Sequence, residues 1–474
     1  MNPGQEQGLK PQLRRLLSQS AVYGTADVFT NVVNFLLVPL YTAYLSPAEY
    51  GDLALLLLFS SLAKILFRMG LDSAFFRIHY DLDAAGQRRL CGSVFLFAAV
   101  LGTSLFALLA FLSPWLAWLL LGRREAASLI VLAAADVYLG LFSFVPLGLL
   151  RIQDRPGLFS ALSASRHLAN TVLKVALVIQ GLGVWGVLAS DALATGLLSA
   201  MLLPRLLRHS ELAVDIALLR ETLRFALPKL PHGLLLQVQN LADRKILDLF
   251  ASRAEVGLYQ VGCSFGSGVK FALSAFEPAW QPFVYARLKQ PDAQRTLARV
   301  ATVSWGGFLA AGLALALFSR ELIVLMTPRS PVFREAAPVI PVVVLAYLLH
   351  GFFLLTSIGI GVSKAARYYP VVTLLAASTN IAANFLLIPR FGMLGAAWAT
   401  VLSYAAMAAA GYAFSQRLWP VPWEWRGLIS YSALAALLYL ASTAAPQALI
   451  PALALKGVLL AAFCALLVPL LRRV

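Results

Sequence analysis

The sequence predicts an all-α integral membrane protein of about 14 transmembrane helices, built as two pseudo-symmetric six-helix lobes with two extra C-terminal helices. Three observations carry this prediction: the hydropathy of the whole chain, the rhythm of its apolar stretches, and a match between its two halves. The chain has 474 residues, of which 60% are hydrophobic and only 13% charged, and its mean hydropathy is +0.78. Soluble globular domains do not reach that value. About 14 spans of roughly 21 residues would leave only about 12 residues for each tail and loop. No extramembrane catalytic domain fits in that remainder.

The apolar stretches lie near 19–45, 51–72, 90–112, 126–150, 158–179 and 183–204 in the first half. In the second they lie near 222–250, 255–281, 297–319, 336–362, 368–388, 392–415, 427–445 and 451–471. Charged residues, Gly and Pro punctuate them. Between the halves, Leu206–Arg220 alternates apolar residues with Arg208, His209, Glu211 and Asp215, which suits an amphipathic linker at the membrane interface. The expected organisation is therefore an N-terminal lobe over 1–205, a linker over 206–221, a C-terminal lobe over 222–416 and helices 13 and 14 over 417–474.

The net charge of +16, from 38 Lys and Arg against 22 Asp and Glu, would suggest nucleic acid in a soluble protein. In a membrane protein it reports orientation. Twenty-two Lys and Arg fall in the tails and even-numbered loops against eight in the odd-numbered loops, so both termini are expected in the cytoplasm and no nucleic-acid partner is expected. The first 18 residues lack the apolar core of a cleaved signal peptide, which leaves the first helix as an anchor. Cys91, Cys263 and Cys464 are far apart and read as small core residues. The five histidines have no metal-ligand spacing and there is no phosphate loop of the Walker type, so neither metal, cofactor nor catalytic residues are expected.

Sliding the chain on itself by 206 residues aligns the first two helices with the seventh and eighth without a gap. Asn34 then meets Asn240, Ser46 meets Ser252, Glu49 meets Glu255, Gly51 meets Gly257 and Lys64 meets Lys270. Eight of the 31 positions from Asn34 to Lys64 are identical, where a composition this biased gives roughly two or three by chance. Further on, Asn170 and Asn380 correspond at an offset of 210, and Gly183 and Gly186 match Gly392 and Gly395 at 209. A shift of six helices preserves direction through the membrane, so the repeat is parallel and implies a cleft between two lobes.

An ionisable side chain in hydrocarbon costs at least about 2.5 kcal/mol, so it faces protein or water and marks a functional candidate. The second helix carries Ser60, Lys64, Arg68 and Asp72 at four-residue spacing, and the eighth carries Gly262, Gly266, Lys270 and Ser274. Lys64 and Lys270 thus occupy equivalent positions. Two ammonium groups facing one cleft call for an anion. The competing reading for Lys64 and Arg68 is that they snorkel to the headgroups. The first helix places Asp27 and Asn34 on one polar face, and the seventh places Lys229, His232, Asn240 and Asp243 likewise. Asp27 either binds a coupling cation, a proton or sodium, or pairs with a nearby lysine. Asp243, Arg244, Lys245 and Asp248 read as structural, with Arg244 and Asp248 paired at four-residue spacing. Helices 11 to 14 hold almost no buried charge.

The run Asp243-Arg244-Lys245-Ile246-Leu247 with Ala254-Glu255-Val256-Gly257-Leu258-Tyr259 resembles the seventh and eighth helices of polysaccharide-biosynthesis flippases, in the multidrug/oligosaccharidyl-lipid/polysaccharide exporter superfamily. Leu45-Ser46-Pro47-Ala48-Glu49-Tyr50-Gly51 is the counterpart in the first half, and Gly70-Leu71-Asp72-Ser73-Ala74 with Arg77 resembles the family's second helix and following loop. The resemblance implies a V-shaped, two-lobed transporter that is not an enzyme. It would move a polyprenyl-diphosphate-linked oligosaccharide from the cytoplasmic to the outer leaflet of a bacterial plasma membrane by alternating access. Its partners would be membrane lipid, that glycan and polysaccharide-synthesis enzymes. Charge and repeat position then put Lys64, Arg68, Lys229 and Lys270 on the diphosphate and Asp27, Asn34 and Asn240 in the polar lining near the sugars. The alternatives are a cation-coupled multidrug antiporter of the same superfamily, which would favour an acidic cavity, and a lipid-linked glycosyltransferase or ligase, which needs an acidic catalytic group or a long outer loop. A major-facilitator carrier is disfavoured because Leu71–Arg89 lacks its Gly and Asp-Arg pattern.

Overall fold

A computed structural model describes residues 33, 35–153, 155–227, 230–288, 290–365, 367–443 and 448–471. Among them there is no strand. Asp27, Asn34 and Lys229 lie outside the described residues. In chain order the helices are α1 (Val38–Tyr44), α2 (Pro47–Arg68), α3 (Leu71–His79), α4 (Ala84–Phe111), α5 (Ser113–Leu121), α6 (Ala127–Ile152), α7 (Pro156–Ile179), α8 (Gly183–His209) and α9 (Ile216–Ala226). They continue as α10 (Leu230–Phe250), α11 (Arg253–Gly266), α12 (Val269–Arg287), α13 (Ala293–Leu317), α14 (Ser319–Met326), α15 (Val339–Thr356), α16 (Ile358–Val362), α17 (Tyr368–Leu418), α18 (Trp425–Thr443) and α19 (Leu449–Leu471).

Eight helical stretches among the described residues are long and apolar enough to cross a membrane. One of them, α17, is two helices joined at Gly392, whose φ of 52° and ψ of −130° are not helical. With the shorter and more polar helices, the layout is that of about 14 spans. The reversal at Gly392 is held from outside: the Met393 N–H donates to Glu255 Oε1 at 2.7 Å.

Several expected helices are interrupted, each for a local reason. The second span breaks after Arg68, where Met69 and Gly70 both take positive φ, and resumes as α3. The expected seventh helix over 222–250 divides into α9 and α10 on either side of Pro228. The eighth breaks at Ser267–Gly268, three residues before Lys270. As a result the stripe Gly262, Gly266, Lys270, Ser274 is not one wet face. A Cβ on Gly262 or Gly266 would come within 2.7 Å and 2.6 Å of the Val339 and Val343 side chains, so those glycines form a packing seam with α15. Of the cysteines, Cys91 is buried and Cys263 half-buried, but Cys464 is exposed and is not a core residue.

The chain divides into two compact units. The first runs from Leu55 to Gln237 with the described residues before Tyr41; the second joins Tyr41–Ala54 to Val238 and everything beyond. Leu71, Phe75, Leu90, Val94, Val145, and Leu206 are at the core of the first, and Ala226 of α9 joins them. Leu247, Val256, Tyr259, Val339, Val343 and Ala396 fill the core of the second.

The identities of the repeat do structural work at the start of α2 and α11. Ser46 and Glu49 form a reciprocal cap, with the Ser46 N–H donating to Glu49 Oε2 at 2.8 Å and the Glu49 N–H to Ser46 Oγ at 3.3 Å. Ser252 likewise accepts from the Glu255 N–H at 3.2 Å, while the Glu255 carboxylate goes to Met393 instead. Inside the second unit the two glycines make a matched crossing. A Cβ on Gly51 would lie 2.1 Å from the Arg253 carbonyl oxygen, and one on Gly257 would lie 1.9 Å from that of Pro47. Subtracting 206 from 257 and 253 returns 51 and 47, so the contacts are related by the repeat. Gly257→Val should therefore lower stability by about 1–3 kcal/mol through overpacking against backbone. Gly307→Val, at a position with nothing within 4 Å, should have little effect; thermal unfolding of the purified protein in detergent compares them.

Candidate functional site

In the first unit, α2, α6, α7 and α8 contribute a chain of charged and polar side chains. Arg68 Nη1 is 3.2 Å from Asp72 Oδ1, a pairing that survives the break between α2 and α3. Asp136 on α6 accepts from Thr195 Oγ1 at 2.5 Å, and the same hydroxyl accepts from Arg166 Nη1 at 2.8 Å. Deeper on α7, the nearly buried Lys174 reaches Asp191 Oδ1 at 2.8 Å, with Asn170 Nδ2 donating to the same oxygen at 2.7 Å. The spacing of α7 explains this: Arg166, Asn170 and Lys174 recur every four residues, and Asp191 and Thr195 do so on α8, so one helical face meets another.

Lys64 stands apart. Its side chain is exposed and makes no ion pair among the described residues, while Asp136, Arg68, Arg166 and Asp72 lie within its electrostatic range. Four cations, Lys64, Arg68, Arg166 and Lys174, face three carboxylates, Asp72, Asp136 and Asp191. Among the described residues of this group one positive charge is left over; Asp27 and Lys229 lie outside them.

The second unit pairs its charges through different residues. Arg244 is held by Asp243, its neighbour in sequence, through Nη1–Oδ1 at 2.7 Å, and by Gln260 through Nε at 2.8 Å. Tyr259 Oη donates to the other Asp243 oxygen at 2.5 Å. These groups, with Tyr347, Asn380, Ser403 and Tyr404, line a cavity of about 30 Å³. The expected pairing of Arg244 with Asp248 does not occur. Asp248 is taken by Lys245 at 2.8 Å and by Arg253 at 2.6 Å, and Arg253 also reaches Asp52 at 2.8 Å, so Asp248 is already saturated by two cations on its own side.

Lys270, at the start of α12, is exposed, and its ammonium sits 4.5 Å from the centre of the Tyr347 ring. Tyr404 is 5.9 Å from Tyr347 and 5.2 Å from His350. A cation resting on an aromatic face is stabilised by the ring quadrupole but keeps its full charge. Arg244 is neutralised by Asp243, and Lys270, like Lys64 in the first unit, makes no ion pair among the described residues; Glu277, seven residues further along α12, is likewise outside any ion pair among them. Lys64 and Lys270 are the two lysines matched by the 206-residue repeat.

Of the other site candidates, Arg68 is in its ion pair with Asp72, and Asn240 lies on α10 with its side chain outside the described set, as does that of His232. The residues missed by sequence reasoning are Asp136, Arg166, Asn170, Lys174, Asp191 and Thr195 in the first unit and Tyr347 and Tyr404 in the second. Four-residue spacing on the fifth and sixth apolar stretches would have found most of the first group; nothing in the sequence singles out the two tyrosines. The expected helix 14 nonetheless carries the buried Lys456, which pairs with Glu321, just beyond the ninth span, at 2.7 Å.

A family model described as polysaccharide biosynthesis protein matches residues 43–327. The chain belongs to that family. The match spans the repeat-related Ser-x-x-Glu caps, both repeat-matched lysines and the Asp243–Arg244 pair. No curated protein sequence matches the chain. Among solved structures, a lipid II flippase MurJ in an inward closed conformation superposes with a TM-score of 0.76 at 11% identity, over 94% of this chain and 98% of that one. An inward-facing multidrug resistance MATE family transporter of the MOP superfamily gives 0.64 at 14% identity, over 82% and 94%, and an outward-facing one gives 0.54 at 15%, over 85% and 94%. At these identities the likeness is one of fold. This member of the polysaccharide biosynthesis family thus has the fold of a flippase and of transporters, not of enzymes.

The buried Asp243–Arg244 pair has a measurable signature. Asp243→Ala should destabilise the protein by about 3–5 kcal/mol, because it leaves a guanidinium buried without its counter-charge. Asp243→Ala combined with Arg244→Met should recover much of that loss, read as the difference in thermal midpoint between the single and double variants.

Proposed function

We propose that the protein is a flippase that moves a polyprenyl-diphosphate-linked oligosaccharide, a precursor of cell-surface polysaccharide, from the cytoplasmic to the outer leaflet by alternating access. It would act in a bacterial inner membrane with both termini in the cytoplasm, beside the enzymes that build and polymerise the glycan. The observation that carries this reading is an ammonium in each unit that makes no ion pair among the described residues, Lys64 and Lys270, at positions matched by the repeat. A membrane protein retains an uncompensated cation in a spanning segment only at a cost, and an anionic cargo offsets that cost when it binds.

A diphosphate fits the requirement in charge and in chemistry, because its oxygens accept short, charge-assisted hydrogen bonds from ammonium groups. The sugars need hydroxyl and amide partners, the role we give to the repeat-matched Asn34 and Asn240, and the polyprenyl tail needs only lipid or apolar side chains. Family membership supports the glycan; the cationic balance supports the phosphate. An exporter of cationic drugs would be served by the opposite surplus.

The test is transport in proteoliposomes loaded with a labelled polyprenyl-diphosphate oligosaccharide. The wild type should deliver label to the opposite leaflet. Lys64→Ala and Lys270→Ala should each slow it by about 10- to 100-fold, the loss of one charged hydrogen bond, and Lys→Arg at either position should retain most of the rate. Equal rates for all variants would remove the lysine assignment. A wild type that extrudes a cationic dye and leaves the lipid-linked glycan in place would overturn the function.

A further inference from the structure

The segment between α8 and α9 is built as a strap whose backbone is anchored and whose side chains are left over. The Glu211 N–H donates to the Arg88 carbonyl at 3.0 Å. Ser93 Oγ donates to the Ala213 carbonyl at 3.2 Å and accepts from the Asp215 N–H at 2.8 Å. Asp215 then caps α9, accepting from the N–H groups of Ala217 and Leu218 at 3.0 and 3.1 Å. Thr222 and Ala226 turn inward and are buried, which leaves Arg220 and Arg224 exposed on the opposite face.

Two sets of side chains remain after this anchoring. Of the strap's acids, Glu211 lies 3.5 Å from Arg89 and Asp215 is the helix cap, while Glu221 is exposed on α9. The exposed bases Arg88, Arg208, Arg220 and Arg224 make no ion pair or side-chain hydrogen bond among the described residues. Beside them Leu212, Val214 and Ile216 are 54%, 51% and 76% exposed. A row of apolar side chains held out by an ordered backbone, next to unpaired guanidinium groups, matches the acyl–headgroup boundary of a bilayer: apolar groups enter the hydrocarbon edge and bases meet phosphate.

The geometry points to a lipid-binding site on this strap, in which Arg208, Arg220 and Arg224 hold the phosphate groups of anionic phospholipids while Leu212, Val214 and Ile216 enter the acyl boundary. This site is independent of the transported cargo and shares no residue with the lysine sites. It attaches the segment between α8 and α9 to the bilayer surface in proportion to the surface charge. The occupant is the membrane itself: the apolar row is continuous with a chain that already spans the bilayer, and the strap with the start of α4 that anchors it carries five arginines (Arg88, Arg89, Arg208, Arg220, Arg224) against three acids (Glu211, Asp215, Glu221).

The test is hydrogen–deuterium exchange of the full chain in nanodiscs of phosphatidylcholine with or without phosphatidylglycerol. In the wild type, phosphatidylglycerol should slow exchange across residues 206–224 by about fivefold or more, and added salt should reverse the effect. The triple variant Arg208→Ala, Arg220→Ala, Arg224→Ala should lose the response with unchanged protection of the spanning helices; the matching triple Lys variant should keep it. Equal exchange in both lipids, a response retained by the Ala variant, or protection that appears only when an acidic soluble protein is added would overturn the proposal.

Discussion

A bilayer interior supplies neither water nor counter-ions, so every charge carried into it has to be balanced by a neighbour or kept for a ligand. This chain settles nearly all of its intramembrane charges locally. Asp243 takes Arg244, Asp191 takes Lys174, Asp72 takes Arg68, Asp248 is shared by Lys245 and Arg253, and Glu321 takes Lys456. Against that background Lys64 and Lys270 stand out, one in each unit, as repeat-matched lysines that make no ion pair among the described residues. Abundance of positive charge would not have been informative by itself, since most of it is consumed.

The repeat serves two purposes that can be separated residue by residue. Ser46, Glu49, Gly51 and their partners at 252, 255 and 257 are architectural. They cap the helices that begin there and allow two backbones to cross at a separation that no side chain permits. Lys64 and Lys270, some four turns further along, belong to the same matched stretch but have no architectural partner. Glu255 also shows how the halves have diverged. It has left the reciprocal cap that Glu49 still makes and instead braces the reversal at Gly392, so a carboxylate inherited by both halves stabilises one helix in the first and three in the second.

Much of the fold was readable because the signals were long and one-dimensional. Spans such as 126–150 and 183–204 came out within a few residues of α6 and α8, since about 20 apolar residues bounded by charge have few other fates. The interruptions were less visible. Gly268 looks in sequence like another small residue on a helix face, yet the helix breaks beside it. Within the site, Lys64 and Lys270 were found by alignment and charge. The pairing of Arg244 differs from the expected one because i,i+4 spacing describes a helix surface, whereas the partner it takes sits at i−1 and is locked by Tyr259, while Gln260 of the same next helix holds Arg244 itself.

The amino-acid order alone determined the membrane class, the approximate spans, the duplication and the equivalence of the two lysines, because hydropathy and repetition are properties of the string. Only the tertiary structure decided which charges cancel. Whether Asp136 serves Lys64, Arg166 or Thr195, or whether a tyrosine ring lies beneath Lys270, depends on which helix faces meet. Such contacts join residues tens to more than a hundred positions apart, and no local pattern encodes that distance.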